Sequence, residues 1–141
     1  MPQSPMGAIL EQLCVGPSTM RFEPPNTCLV AYIGDLDAET VCRMNAALEA
    51  VARLHGPINL VVDLSKTGKV SEHARRQGVS GMLTLDPCAT AVFGANPHMA
   101  VLVSMLLRAA RLLRMGLRGP VRFFPTETDA RAWISQLKTT T

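Results

Sequence analysis

The run Ile58-Asn-Leu-Val-Val-Asp-Leu64 is short, nearly continuous in apolar residues and flanked by polar sequence. A run of this kind suits a central strand covered on both faces of a sheet. Covering both faces takes helices, and the neighbouring sequence supplies them. Val41, Met44, Leu48, Val51 and Ala52 recur at steps of three and four, the spacing of one buried helical face. Asp35 or Asp37 can cap that helix, and His55-Gly56-Pro57 stops it, with Gly past the end and Pro just beyond.

The same alternation continues along the chain. Ser65 to Val70 reads as a polar loop, and Ser71 caps a short helix with Glu72 in its first turn. Gly78 and Gly81 lie inside that helix, each costing about 1 kcal/mol relative to Ala. Asp86-Pro87 breaks the chain before a buried strand, Cys88 to Phe93. Asn96-Pro97 starts a helix running to about Met115, as a cap followed by Pro at the first helical position. Val121 to Phe124 is the last strand. Thr126-Glu-Thr-Asp129 then opens a final helix that buries Ala130, Trp133, Ile134 and Leu137. Upstream, Thr19 to Glu23 and Thr27 to Ile33 flank Pro24-Pro25-Asn26 as a hairpin.

The expected order is β-β-α-β-α-β-α-β-α. It describes a single-domain α/β fold, mainly a parallel sheet with helices on both faces and an antiparallel edge strand from the N-terminal hairpin. Residues 1–18, rich in Pro and Gly with one short apolar piece from Ala8 to Val15, read as a loosely ordered arm with a helical turn. Residues 19–141 form the domain. A length of 141 residues suits one core, and 48% hydrophobic content rules out an extended disordered chain.

Charge and composition exclude several function classes. The net charge is +3, but residues 1–70 hold five Lys/Arg against seven Asp/Glu, and residues 71–141 hold nine against four. That modest excess and the six aromatics argue against nucleic-acid binding, which wants dense cations and stacking platforms. No apolar stretch reaches the roughly 18 residues of a membrane span. The N-terminus has no basic start and carries Glu11 in its apolar part, unlike a secretory signal. A soluble cytoplasmic protein is expected. Cys14, Cys28, Cys42 and Cys88 form no close pair, and His55, His73 and His98 are scattered, so neither a metal site nor a cofactor is expected. The thiols read as reduced and mostly buried.

Catalytic signatures are scarce. No glycine-rich dinucleotide or phosphate loop is present, and Gly78-Val79-Ser80-Gly81 lacks the spacing of a nucleophile elbow. Asp63 near the end of a central strand, with Ser71 and His73 downstream, is the one polar set an enzyme could use. The plainer reading has Asp63 bracing the following loop and Ser71 capping the helix. The helix from 97 to 115 stands out more. Met99 to Leu107 has Ser104 as its single polar residue, and Arg108, Arg111, Arg114 and Arg118 follow in a narrow arc. Such a helix suits an anionic lipid or an acidic partner, or is a largely buried helix whose arginines reach water.

Taken together, several stretches resemble the STAS superfamily, named for sulfate transporters and anti-sigma-factor antagonists. More narrowly, the chain is similar to small bacterial STAS/CRAL-TRIO-like proteins. The matching pieces are Arg21-Phe-Glu-Pro-Pro25, Gly34-Asp-Leu-Asp37, Val61-Val-Asp-Leu-Ser65 and Ser71-Glu-His-Ala-Arg75. Ala91-Val-Phe-Gly94, Arg122-Phe-Phe-Pro-Thr-Glu127 and Ala130-Arg-Ala-Trp133 complete a set spanning about residues 19–137. The resemblance implies a regulatory rather than catalytic domain, which binds a kinase-like partner at the start of its second helix and is switched by phosphorylation of a serine there. The family's Asp-Ser-Ser-Gly stretch falls on Ser71, Glu72, His73 and Ala74. The acceptor position is then Glu72, or Ser71 with a shift of one residue. A CRAL-TRIO-like relative would instead hold a lipid beneath an apolar helix.

The leading expectation is a regulatory, non-enzymatic module that binds a protein partner through Ser71, Glu72, His73 and Arg76, with Ser71 as the candidate phosphorylation site. The alternative is a binder of lipid or another apolar molecule through Met99, Leu102, Val103, Met105 and Leu106, with Arg108, Arg111 and Arg114 for an anionic head group. An enzyme using Asp63, Ser71 and His73 comes third. A monomer and a homodimer are both compatible with the sequence.

Overall fold

The computed structural model describes residues 12–112 and 119–140, with the side chains of 106, 110–112 and 138–140 left undescribed. Among the described residues, six strands form one sheet: β1 (Gln12–Val15), β2 (Ser18–Glu23), β3 (Thr27–Leu36), β4 (Asn59–Val70), β5 (Ala89–Phe93) and β6 (Val121–Phe124). Four helices accompany them: α1 (Ala38–His55), α2 (Glu72–Leu85), α3 (Pro97–Leu112) and α4 (Glu127–Thr140). β1, β2 and β3 pair antiparallel, and β3 to β6 run parallel. The predicted fold class therefore holds, with one addition at its edge. Gln12–Val15, placed in the loose arm by sequence, is a strand hydrogen-bonded to β2, so β1 rather than the hairpin forms the edge. Residues 1–11 of that arm lie outside the described residues.

The strands stand in the sheet in chain order, β1-β2-β3-β4-β5-β6. Right-handed crossovers that always step to the next strand on the same side set their helices on one face. α1, α2 and α3 accordingly share a face, and α4, which follows the last strand, covers the other. Strand pleating separates two cores. Val30, Val62, Val92 and Phe123 are aligned partners across β3 to β6 and face α1 to α3. Val61, Ala89, Ala91 and Phe93 pack instead against Ala130 and Ile134 of α4. On the first face, Met20, Met44 and Val51 are fully buried, each contributing about 1.5–3 kcal/mol.

Helix starts follow from capping chemistry. Asp37 Oδ1 accepts from Thr40 N at 2.8 Å, Ser71 Oγ from Ala74 N at 3.0 Å, Asn96 Oδ1 from Met99 N at 2.8 Å and Thr126 Oγ1 from Asp129 N at 3.2 Å. Each side chain meets an amide that the first helical turn leaves unpaired. Gly56, at φ 87, ends α1. Of the two glycines in α2, Gly81 has a packing reason: a Cβ there would overlap the side-chain amide of Asn45 on α1, whose Nδ2 donates to Gln77 O at 3.0 Å.

Three sequence expectations need correction near the sheet. Residues 65–70 are not a loop: β4 continues through them to Val70, paired with Ile33 to Leu36 of β3 across two irregularities. The signal missing from the polar side chains is carried by backbone bonds to β3. Cys88 precedes β5 rather than starting it, and Cys14, Cys42 and Cys88 are exposed, leaving Cys28 as the buried thiol. Burial pushes the Cys28 thiol up to about 12.

Candidate functional site

The β3–β4 extension reaches past the end of β5 and delivers the chain to the start of α2. Lys69 N donates to Asp35 Oδ1 at 2.7 Å, and Thr67 Oγ1 donates to Leu64 O at 2.7 Å. Ser71 N then donates to Leu36 O at 3.2 Å. The first turn of α2 is thus held by the backbone ladder at the carboxyl end of the parallel strands, where open α/β sheets expose their variable surface. Ser71, Glu72, His73 and Arg76 are all exposed there, and Ala74 turns inward. Glu72 Oε1 accepts from Arg76 Nη2 at 2.9 Å, an i,i+4 pair on the outer face.

The polar set considered for catalysis is not assembled. Asp63 Oδ1 accepts from Ser65 N at 2.8 Å and from Ser65 Oγ at 2.6 Å, bracing the chain as the plainer reading expected. Its strand position faces the α4 side of the sheet with Ala31 and Phe93, whereas α2 packs on the opposite side. Pleating therefore directs Asp63 away from Ser71 and His73. Among the described residues, no cluster of three His, Cys, Asp or Glu could hold a metal ion. No helix among them is long and apolar enough to cross a membrane.

α3 divides its apolar residues between two places. Met99 and Val103 face inward over the sheet, while Leu102 and Met105 line a groove with Ala109, Glu72, Arg75 and Arg76. Val101 and Met105 are 57% and 60% exposed, a large apolar exposure for one helix. Arg108 is exposed too. Leu106 and Arg111 sit on α3 with undescribed side chains, and Arg114 and Arg118 lie outside the described residues. Residues that sequence reasoning assigned to two separate functions thus border one groove between α2 and α3.

A feature the sequence did not reveal lies beneath it. A cavity of about 110 Å³ sits between the sheet and α1 to α3, lined by the row Val30, Val62, Val92 and Phe123 and by side chains of all three helices. Arg75, half-buried, borders both this cavity and the outer groove. Its Nη1 donates to Val70 O at 3.1 Å.

No family model and no curated protein matches the chain. Solved structures do. An uncharacterised DUF3478-family protein with a SpoIIAA-like fold, from Shewanella loihica PV-4, aligns with a TM-score of 0.53 at 20% identity, covering 82% of this chain and 90% of that one. The anti-sigma factor antagonist SpoIIAA in its unphosphorylated form aligns with a TM-score of 0.59 at 12% identity, covering 84% and 97%. The chain has this SpoIIAA-like fold.

Proposed function

We propose that this SpoIIAA-like domain is a regulatory module that captures a protein partner with the first turn of α2 and the adjoining α2–α3 groove. The observation that carries the reading is the exposed set Ser71, Glu72, His73 and Arg76, mounted on the β3–β4 ladder at the carboxyl end of the sheet. The likeness to an anti-sigma factor antagonist supports it. Leu102 and Met105 give the surface an apolar centre beside the charged rim of Glu72 and Arg76, the usual make-up of an interface. Such a module works in the cytoplasm and performs no reaction of its own.

Ser71 is the phosphorylation candidate within this reading. Its Oγ caps α2 yet remains exposed. A phosphate there would sit at a helix N-terminus, which favours anions, so the helix survives while the partner meets nearly two added charges beside Glu72. Photo-crosslinking from position 73, with position 53 on α1 as a control, tests the reading in cells. A specific adduct from position 73 that disappears on Glu72→Ala with Arg76→Ala is the expected result. Adducts indifferent to those substitutions would overturn it.

A further inference from the structure

We infer that the outer edge of β6 is a docking site for an extended peptide segment with consecutive acidic residues, which adds to the sheet as a further strand. β6 ends the strand order, and among the described strands it pairs with β5 alone. Thr90 N donates to Pro120 O at 2.9 Å and Gly94 N to Phe124 O at 3.2 Å. Alternate residues of a parallel strand bond the same neighbour, so Arg122 also turns its backbone groups toward β5. Val121 and Phe123 therefore point N–H and C=O away from the sheet, the template that strand addition uses. Pro125, next in that outward set, has no N–H to offer, which keeps the template short.

Side chains beside this edge select the occupant. On the α3 side, a groove of about 220 Å³ lies between α3 and β6, lined by Ser104, Leu107, Arg108 and Phe123 and by no acidic residue. On the α4 side, the Arg122 guanidinium lies over the rings of Phe124 and Trp133, 5.5 and 5.7 Å from their centres. Neither Arg108 nor Arg122 forms an ion pair with another described residue. Successive side chains of an added strand face opposite sides of the sheet. Neighbouring carboxylates on such a strand meet Arg108 on one side and Arg122 on the other. The same charges disfavour a second copy of this chain. An antiparallel pair of β6 edges that uses both Val121 and Phe123 sets Arg122 directly opposite the same residue of that copy.

The probe is the fluorescein-labelled peptide Thr-Val-Glu-Glu-Glu-Val-Thr, titrated into the full chain by anisotropy, with a glutamine-for-glutamate peptide as control. The glutamate peptide is expected to bind at least about tenfold more tightly than the control, with Arg108→Glu and Arg122→Glu each removing most of that difference. Both arginines are exposed, so these variants keep the fold. Hydrogen exchange followed by NMR reads the geometry, because saturating peptide should slow the Val121 and Phe123 amides in the parent chain. Equal affinity for the two peptides, or no binding of either, would overturn the proposal. So would glutamate-peptide binding that leaves those two amides exchanging as in the free protein, since charge attraction alone would then account for it. The edge is separate from the first turn of α2, so crosslinking from position 73 can succeed or fail without bearing on it.

Discussion

Arg131 on α4 grips both carboxylate oxygens of Glu23 on β2, with Nη1 to Oε1 at 2.8 Å and Nη2 to Oε2 at 3.1 Å. The pair lies 108 residues apart in sequence and ties α4, the one described helix on its face of the sheet, to the antiparallel end. Arg21 adds a bond to Oε2 at 2.7 Å, and Arg131 Nε also takes Glu127 at 2.6 Å. The Arg131 guanidinium, bonded across both oxygens, is the main cause holding the Glu23 carboxyl at about 2.

Acid stability should report this pair. A carboxyl whose folded value is depressed stabilises the fold above its unfolded value of about 4.5, and that contribution is lost as pH falls toward about 2. Urea unfolding between pH 6 and pH 2 should show the parent losing stability over that window and Glu23→Gln losing less. Both side chains are partly exposed, so the difference is on the order of 1 kcal/mol after solvent screening. Parallel pH profiles for the two proteins would contradict the assignment.

The two glycines of α2 should respond in opposite directions. Gly78→Ala has room and gains about 0.5–1 kcal/mol from helix propensity and a stiffer unfolded chain. At Gly81 the new methyl must displace Asn45 and break its bond to Gln77 O, costing about 1–3 kcal/mol. Combining Gly81→Ala with Asn45→Ala should recover part of that loss, and denaturant melts of the four proteins measure the coupling.

At Ser71 the effects on folding and on partner capture separate. Ser71→Ala removes the cap and should cost about 1 kcal/mol. Ser71→Asp restores an oxygen to the same amide and should melt close to the parent. Under the proposed function, the Asp variant nevertheless loses the adduct from position 73, and a retained adduct would argue against the interface.

Thiol accessibility offers a direct check of the sheet. Cys14, Cys42 and Cys88 should react with an aromatic disulfide reagent in the native protein, and Cys28 only on unfolding. Mass spectrometry of peptides after a brief pulse distinguishes the sites. Rapid modification of Cys28 would place β3 elsewhere than the core.

What the sequence made legible is what local chemistry controls. The caps at Asp37, Ser71, Asn96 and Thr126 act on amides three residues away, so their side chains announce the helix starts. The central strand declares itself because both of its faces are buried. β1 did not, since four residues before a Gly-Pro turn carry no clear period, and its evidence is pairing with β2. The polar stretch Ser65 to Val70 likewise becomes strand through β3, against its own composition. The α2–α3 groove depends on side chains from two elements meeting in space, and the cavity on side chains from the sheet and three helices. No periodicity within one element could indicate that Met99 and Val103 would face inward while Met105 faced out.

The strict chain order of the strands has a further consequence, for assembly rather than recognition. Every strand after the first docks on the one made immediately before it, so no gap is left for a later segment to enter. The sheet can grow from β1 outward as the chain leaves the ribosome, each crossover closing a loop of modest length. Among the described strands, β1 stays at one edge of the growing sheet, and the other edge is always the newest strand, covered in turn by its successor. Only α4, bound to Glu23 through Arg131, must reach back across the finished sheet, making that ion pair a late lock on a structure already laid down.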